Sequence, residues 1–124
     1  VIGGVFKKED QTGNEYEKLS DLDNSIQHIR VKKQIYTLDF YIEQDLIYQI
    51  DISSSVLSIA NDSEEINGLI RDALPKDASE LKKQSKNCYK CYSDKQDRYY
   101  DVIINTNEST LNIIISGIEA INFR

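Results

Sequence analysis

The chain has 124 residues and a net charge of −6, with 40% hydrophobic and 29% charged residues, one proline and five glycines. That length fits one domain, able to bury roughly two-thirds of the surface its unfolded chain exposes, and that balance excludes a disordered chain. Its acidity disfavours duplex nucleic acid, whose binding rests on Lys and Arg neutralising phosphates, and no apolar run approaches the roughly 18 residues of a membrane helix.

The opening Val1-Ile2-Gly3-Gly4-Val5-Phe6, followed by Lys7-Lys8, reads as a short edge strand in preference to the stub of a trimmed signal or membrane helix. A chain without methionine is expected to be a fragment or a processed form. Residues 7–14 are polar and end in Thr12-Gly13-Asn14, a loop signal. Residues 1–14 are therefore expected to be a stub and linker before a single domain over 15–124.

Asn14 and Glu17 stand at capping-box spacing, and Tyr16, Leu19, Leu22, Ile26 and Ile29 recur at steps of three or four. This predicts a helix over 15–30. The period then changes to two. Tyr36, Leu38, Phe40 and Ile42 alternate with more polar positions, and Leu46, Tyr48, Ile50 and Ile52 do so again after Glu43-Gln44-Asp45. A hairpin with one buried face is expected.

Asp62 and Glu65 form a second capping pair, and Ile66, Leu69, Ile70, Ala73 and Leu74 follow the spacing of a core-facing helix. Pro75 ends it, since proline lacks an amide proton. A weaker helix is predicted over 77–86, then a polar loop over 87–97 holding both cysteines. The strands Tyr99–Thr106 and Leu111–Ser116 are apolar on both faces, as central strands are, and Gly117 is expected to mark a bulge, with Ile118, Ile121 and Phe123 continuing the edge.

The predicted fold class is thus α+β, in the order α-β-β-α-β-β. Two helices pack on one face of a four-stranded antiparallel sheet made of two hairpins. In topology alone this order resembles the split ferredoxin-like modules of periplasmic secretion and pilus platforms.

Three features bear on chemistry. Cys88 and Cys91 form a Cys-x-x-Cys pair that suits a local disulfide in an extracytoplasmic protein, in preference to two idle thiols in a cytosolic one or, less readily still, thiol exchange. The pair follows a predicted helix instead of opening one, so the backbone amides that activate such thiols are missing. It supplies two soft ligands where a structural zinc needs four, and no metal or other cofactor is expected. His28 stands alone, and Gly3-Gly4 lacks the lysine and helix of a phosphate loop.

Charge is uneven: residues 1–75 sum to −7, residues 76–98 to +3 and residues 99–124 to −2. Within the basic segment Lys82, Lys83, Lys86, Tyr89, Lys90 and Tyr92 make a candidate docking surface for an acidic protein partner, because tyrosine adds contact area with little entropy loss. Single-stranded nucleic acid also stacks on such residues, but an acidic domain favours protein.

The first functional expectation is a non-catalytic protein-interaction domain, the extracytoplasmic part of an anchored or secreted bacterial-type protein. The alternatives are a cytosolic acidic inhibitor or immunity-type protein that blocks a basic partner, and a thiol-redox protein acting through Cys88 and Cys91.

Overall fold

The computed structural model describes residues 2–4, 15–21, 26–33, 35–43, 46–55, 63–106 and 110–119. Within these residues the chain builds one antiparallel sheet and one helix. The strands are β1 (Glu15–Asp21), β2 (Ile26–Lys33), β3 (Tyr36–Glu43) and β4 (Leu46–Ser54), then helix α1 (Ser63–Ala73), then β5 (Lys82–Ser85), β6 (Cys88–Ser93), β7 (Arg98–Thr106) and β8 (Leu111–Glu119). Seven antiparallel pairings join them in the spatial order β1-β2-β3-β4-β8-β7-β6-β5. Each half of the chain is a four-stranded meander, and the halves meet where β4 pairs with β8.

This corrects the expected four-stranded sheet with two helices, and the likeness to ferredoxin-like modules goes with it. The segment read as a helix over 15–30 is β1 and β2. Its three-or-four spacing arose because apolar residues of two separate strands fell on one count along the chain. Ile29 and Val31, two apart and both buried, carry the true period of β2. The segment predicted as a helix over 77–86 ends in β5, and the supposed loop over 87–97 holds β6 and the turn into β7.

Elsewhere residues and elements agree. Phe40 pairs with Ile50 and Leu38 with Ile52 in the hairpin of β3 and β4. On β4 and β8, Ile50 faces Ile115 and Ile52 faces Ile113, and on β7 Val102 faces Ile115. Side chains opposite one another in a ladder share a face. These residues therefore form one apolar face across the middle of the sheet.

Helix α1 covers that face. Ile66, Ile70 and Ala73 are buried at helical spacing with Leu74 just after them, and Leu69 packs against the cluster half-buried. Glu64 and Glu65 lie in the first turn and Arg71 in the last, matching the helix dipole. The Tyr36 hydroxyl donates to the Glu65 carboxylate and ties the helix to β3. Asp62, the expected cap, lies outside the described residues.

Residues 2–4 belong to this core. Ile2 is fully buried, its N–H donates to the Ala73 carbonyl at 2.7 Å, and Gly3 and Gly4 exchange main-chain bonds with Ile47. The rest of the predicted linker, residues 5–14, lies outside the described residues. Gly3 has a φ of +83°, and a Cβ there would meet the Gln96 side chain, so only glycine suits this turn.

Gly117 does not mark a bulge. β7 and β8 pair in unbroken register, and Gly117 lies opposite Tyr100, whose ring would stand 3.1 Å from a Cβ at that position. The glycine makes room for a fully buried tyrosine. Ile121 and Phe123, expected to continue this edge, lie outside the described residues.

Candidate functional site

The sheet has two unlike faces. Opposite the core, one row of ladder partners runs His28, Tyr41, Gln49, Ser116, Asp101 and Lys90, ending at Lys82 on β5. The next row runs Arg30, Asp39, Asp51, Ile114, Ile103 and Cys88. The strand aspartates thus lie away from the core, as alternation requires.

At the β2–β4 end the groups satisfy one another. Asp39 Oδ1 accepts from Arg30 Nε at 2.8 Å and lies 2.9 Å from His28 Nε2, and the His28 ring stacks on Tyr41 with centroids 4.4 Å apart. Asp51 accepts from Gln49 Nε2 at 2.9 Å. Burial raises the Asp51 pKa and the charge of Asp39 adds to it, against the Gln49 bond and His28, which lower it. Burial also raises Tyr41, helped by the charges of Asp51 and Asp39. This cluster was hidden from sequence reading because His28 and Arg30 were placed on a helix, where neither meets Asp39.

At the other end stands the predicted docking set, which the fold divides. Lys82 and Lys83 are exposed on β5 and Lys86 is exposed in the turn to β6. None of the three ammonium groups has an ion-pair partner among the described residues. Tyr89 pairs with Val102 and turns to the core face, packing against the buried cluster. Lys90 and Tyr92 face the opposite way. Lys90 Nζ lies 3.9 Å from Asp101 and 5.9 Å from the centre of the Tyr99 ring, and Tyr99 in turn lies 4.8 Å from Tyr92.

The β6–β7 turn is held firmly. Asp97 takes a φ of 50°, which aspartate tolerates better than most residues, and its carboxylate accepts from the Tyr92 hydroxyl at 2.5 Å. That bond pushes the Tyr92 pKa up to about 12. Asp77 accepts from the Lys95 N–H and the Ser93 hydroxyl, which hold its carboxyl below the usual range.

Cys88 and Cys91 are both free thiols in β6. Residues three apart on a strand point to opposite faces. Cys88 faces Ile103 half-exposed, whereas Cys91 is buried beside Tyr100. A bridge between them would require β6 to unravel. Burial pushes the Cys91 thiol up to about 11, with the charge of Asp101 adding to it, so it holds little thiolate near neutral pH. Iodoacetamide is therefore expected to alkylate Cys88 in the folded protein and Cys91 only after denaturation. Equal rates at the two thiols in the native state would show that β6 is misplaced.

Among the described residues no group of His, Cys, Asp and Glu is arranged to hold a metal, and no helix is long and apolar enough to cross a membrane. Comparison with protein-family models, curated proteins and solved structures finds no match.

Proposed function

We propose that this domain is a non-catalytic protein-interaction module, acting outside the cytoplasm in an anchored or secreted bacterial-type protein, and that it docks its partner along the basic edge at β5. One observation carries the reading. Lys82, Lys83 and Lys86 set three exposed positive charges along an edge of the sheet, and no acidic group among the described residues is paired with them. Crowded like charges weaken a fold slightly. An acidic partner would relieve that repulsion and be steered to the edge by it.

Half-buried Tyr92 and exposed Tyr99, beside Lys90, extend the surface with rigid, amphipathic rings. The compartment is carried by the sequence alone.

The test is a photo-crosslinking residue placed at Lys83, with Glu64 on the exposed side of α1 as control, in cells of the source organism. A single protein adduct is expected from position 83, absent from position 64 and lost when Lys82 and Lys86 are both changed to Glu. Equal adducts from both positions, or none from either, would remove the docking reading.

A further inference from the structure

β5 is the outermost strand at its end of the sheet, and among the described residues only β6 pairs with it. All four of its residues are exposed, as is Lys86 in the turn that follows. An edge strand carries main-chain N–H and C=O groups on its outer side that its own sheet leaves unpaired. The exposed Gln84 side chain donates to the Lys82 carbonyl at 3.4 Å, a long bond that an incoming amide can displace.

The two lysines of β5 point to opposite faces of the sheet. Lys82 pairs with Lys90, which lies opposite the core, and Lys83 pairs with Tyr89, which turns to the core. An acidic surface laid on either face would therefore reach one ammonium group and leave the other. An extended segment laid along the edge reaches both, because its own successive side chains alternate between the same two faces. Opposite charges set across a ladder attract, and like charges repel.

Short length, lysines and a bulge are also what keep an edge from joining strands at random. β5 has all three: four residues, Lys82 and Lys83, and a register shift between Lys83 and Ser85. Together they disfavour basic and neutral strands, and leave the edge open to one that carries carboxylates in the matching places.

We infer that β5 takes up an extended segment of the partner protein as an added strand, and that this segment carries two acidic residues in succession, one against Lys82 and one against Lys83. The inference rests on the reading of the basic edge as a docking surface, and adds how the partner binds and what it presents there. Main-chain bonds along the edge supply affinity, and the carboxylate pair supplies selectivity.

Fluorescence anisotropy tests this with a labelled peptide, two adjacent glutamates flanked by valine and threonine residues, added to the whole protein. Binding is expected, and it weakens about tenfold when both glutamates become lysines. The K82E/K83E protein, its fold checked by circular dichroism, shows the reverse preference. Methylation of the peptide's backbone nitrogens separates strand addition from plain attraction of charge. Alternate nitrogens of a strand face its neighbour. Methylating one alternate set therefore weakens binding about tenfold, and methylating the other has little effect.

Equal effects of the two sets overturn the inference. So does an acidic peptide that binds no better than its lysine form, or that fails to bind at about 1 mM. A thymidine oligonucleotide that competes as well as the peptide is equally fatal, since any polyanion would then suffice. Failure of the peptide while position 83 still crosslinks to a protein removes the added strand and leaves the docking reading in place; failure of both removes both.

Discussion

Changing Ile70 to Asp is expected to unfold the domain. Ile70 is 2% exposed and sits on the sheet-facing side of α1, one turn from Ile66 and Leu74. An unpaired carboxylate there costs about 3–5 kcal/mol, a large share of the roughly 5–15 kcal/mol that holds a domain together. The lost packing of the isoleucine adds about 2–5 kcal/mol. The measurement is the thermal melt followed by circular dichroism, with Arg71→Asp as the neighbouring control. Arg71 is exposed, so its change should cost only the reversed charge at the helix C-terminus, about 1 kcal/mol. Equal melts for the two variants would mean that the covered face of α1 has been assigned to the wrong side.

Tyr100→Ala is the second large effect. Tyr100 is fully buried between Cys91 on β6 and Gly117 on β8, and its hydroxyl bonds with Gln96. Gln96 in turn donates to the Ile2 carbonyl, so one side chain links the sheet, the β6–β7 turn and residues 2–4. Removing a buried aromatic ring costs about 3–5 kcal/mol, which lowers the melting temperature by roughly 10–20 °C in a domain of this size. Tyr100→Phe keeps the ring and loses only the hydroxyl bond, at about 1 kcal/mol. A Tyr100→Ala protein melting within a few degrees of its Phe counterpart would show that the ring does not fill the space under Gly117.

The parts of the fold legible in the sequence are those whose burial is strong and periodic. Tyr36, Phe40 and Ile42 on β3 and Ile50 and Ile52 on β4 alternate because the hairpin buries one face. Leu46, expected on that face, is exposed and Ile47 is buried, since the register shifts between Tyr41 and Ile42. Ile66 to Leu74 keeps helical spacing because α1 covers the face. β1, β2, β5 and β6 were missed for different reasons. In β1 and β2 the apolar residues of two strands, counted as one run, imitate a helix. In β5 there is nothing apolar to see: Lys82-Lys83-Gln84-Ser85 is all exposed and is a strand because β6 offers it a ladder.

β6 did carry a signal. Tyr89, Cys91 and Ser93 alternate inward while Cys88, Lys90 and Tyr92 alternate outward, and the polar run Asp94-Lys95-Gln96-Asp97 before Arg98 is the turn of a hairpin. The two cysteines belong to that alternation and not to a separate motif. The candidate site was legible as a concentration of lysine and tyrosine, but not as an edge. Which residue of Tyr89 and Tyr92 faces the core follows only once β6 is recognised as a strand.

The join between β4 and β8 has a consequence for how the molecule forms. Ser54 and Leu111 are ladder partners at that join, yet helix α1 and three further strands separate them along the chain. Neither meander can complete its neighbour until these distant segments find each other, and closing so long a loop slows the search. Until then each half shows an unpaired, isoleucine-rich strand, the kind of surface on which partly folded chains stick together. The hazard of aggregation thus lies at the centre of the finished sheet, where the mature protein is best protected.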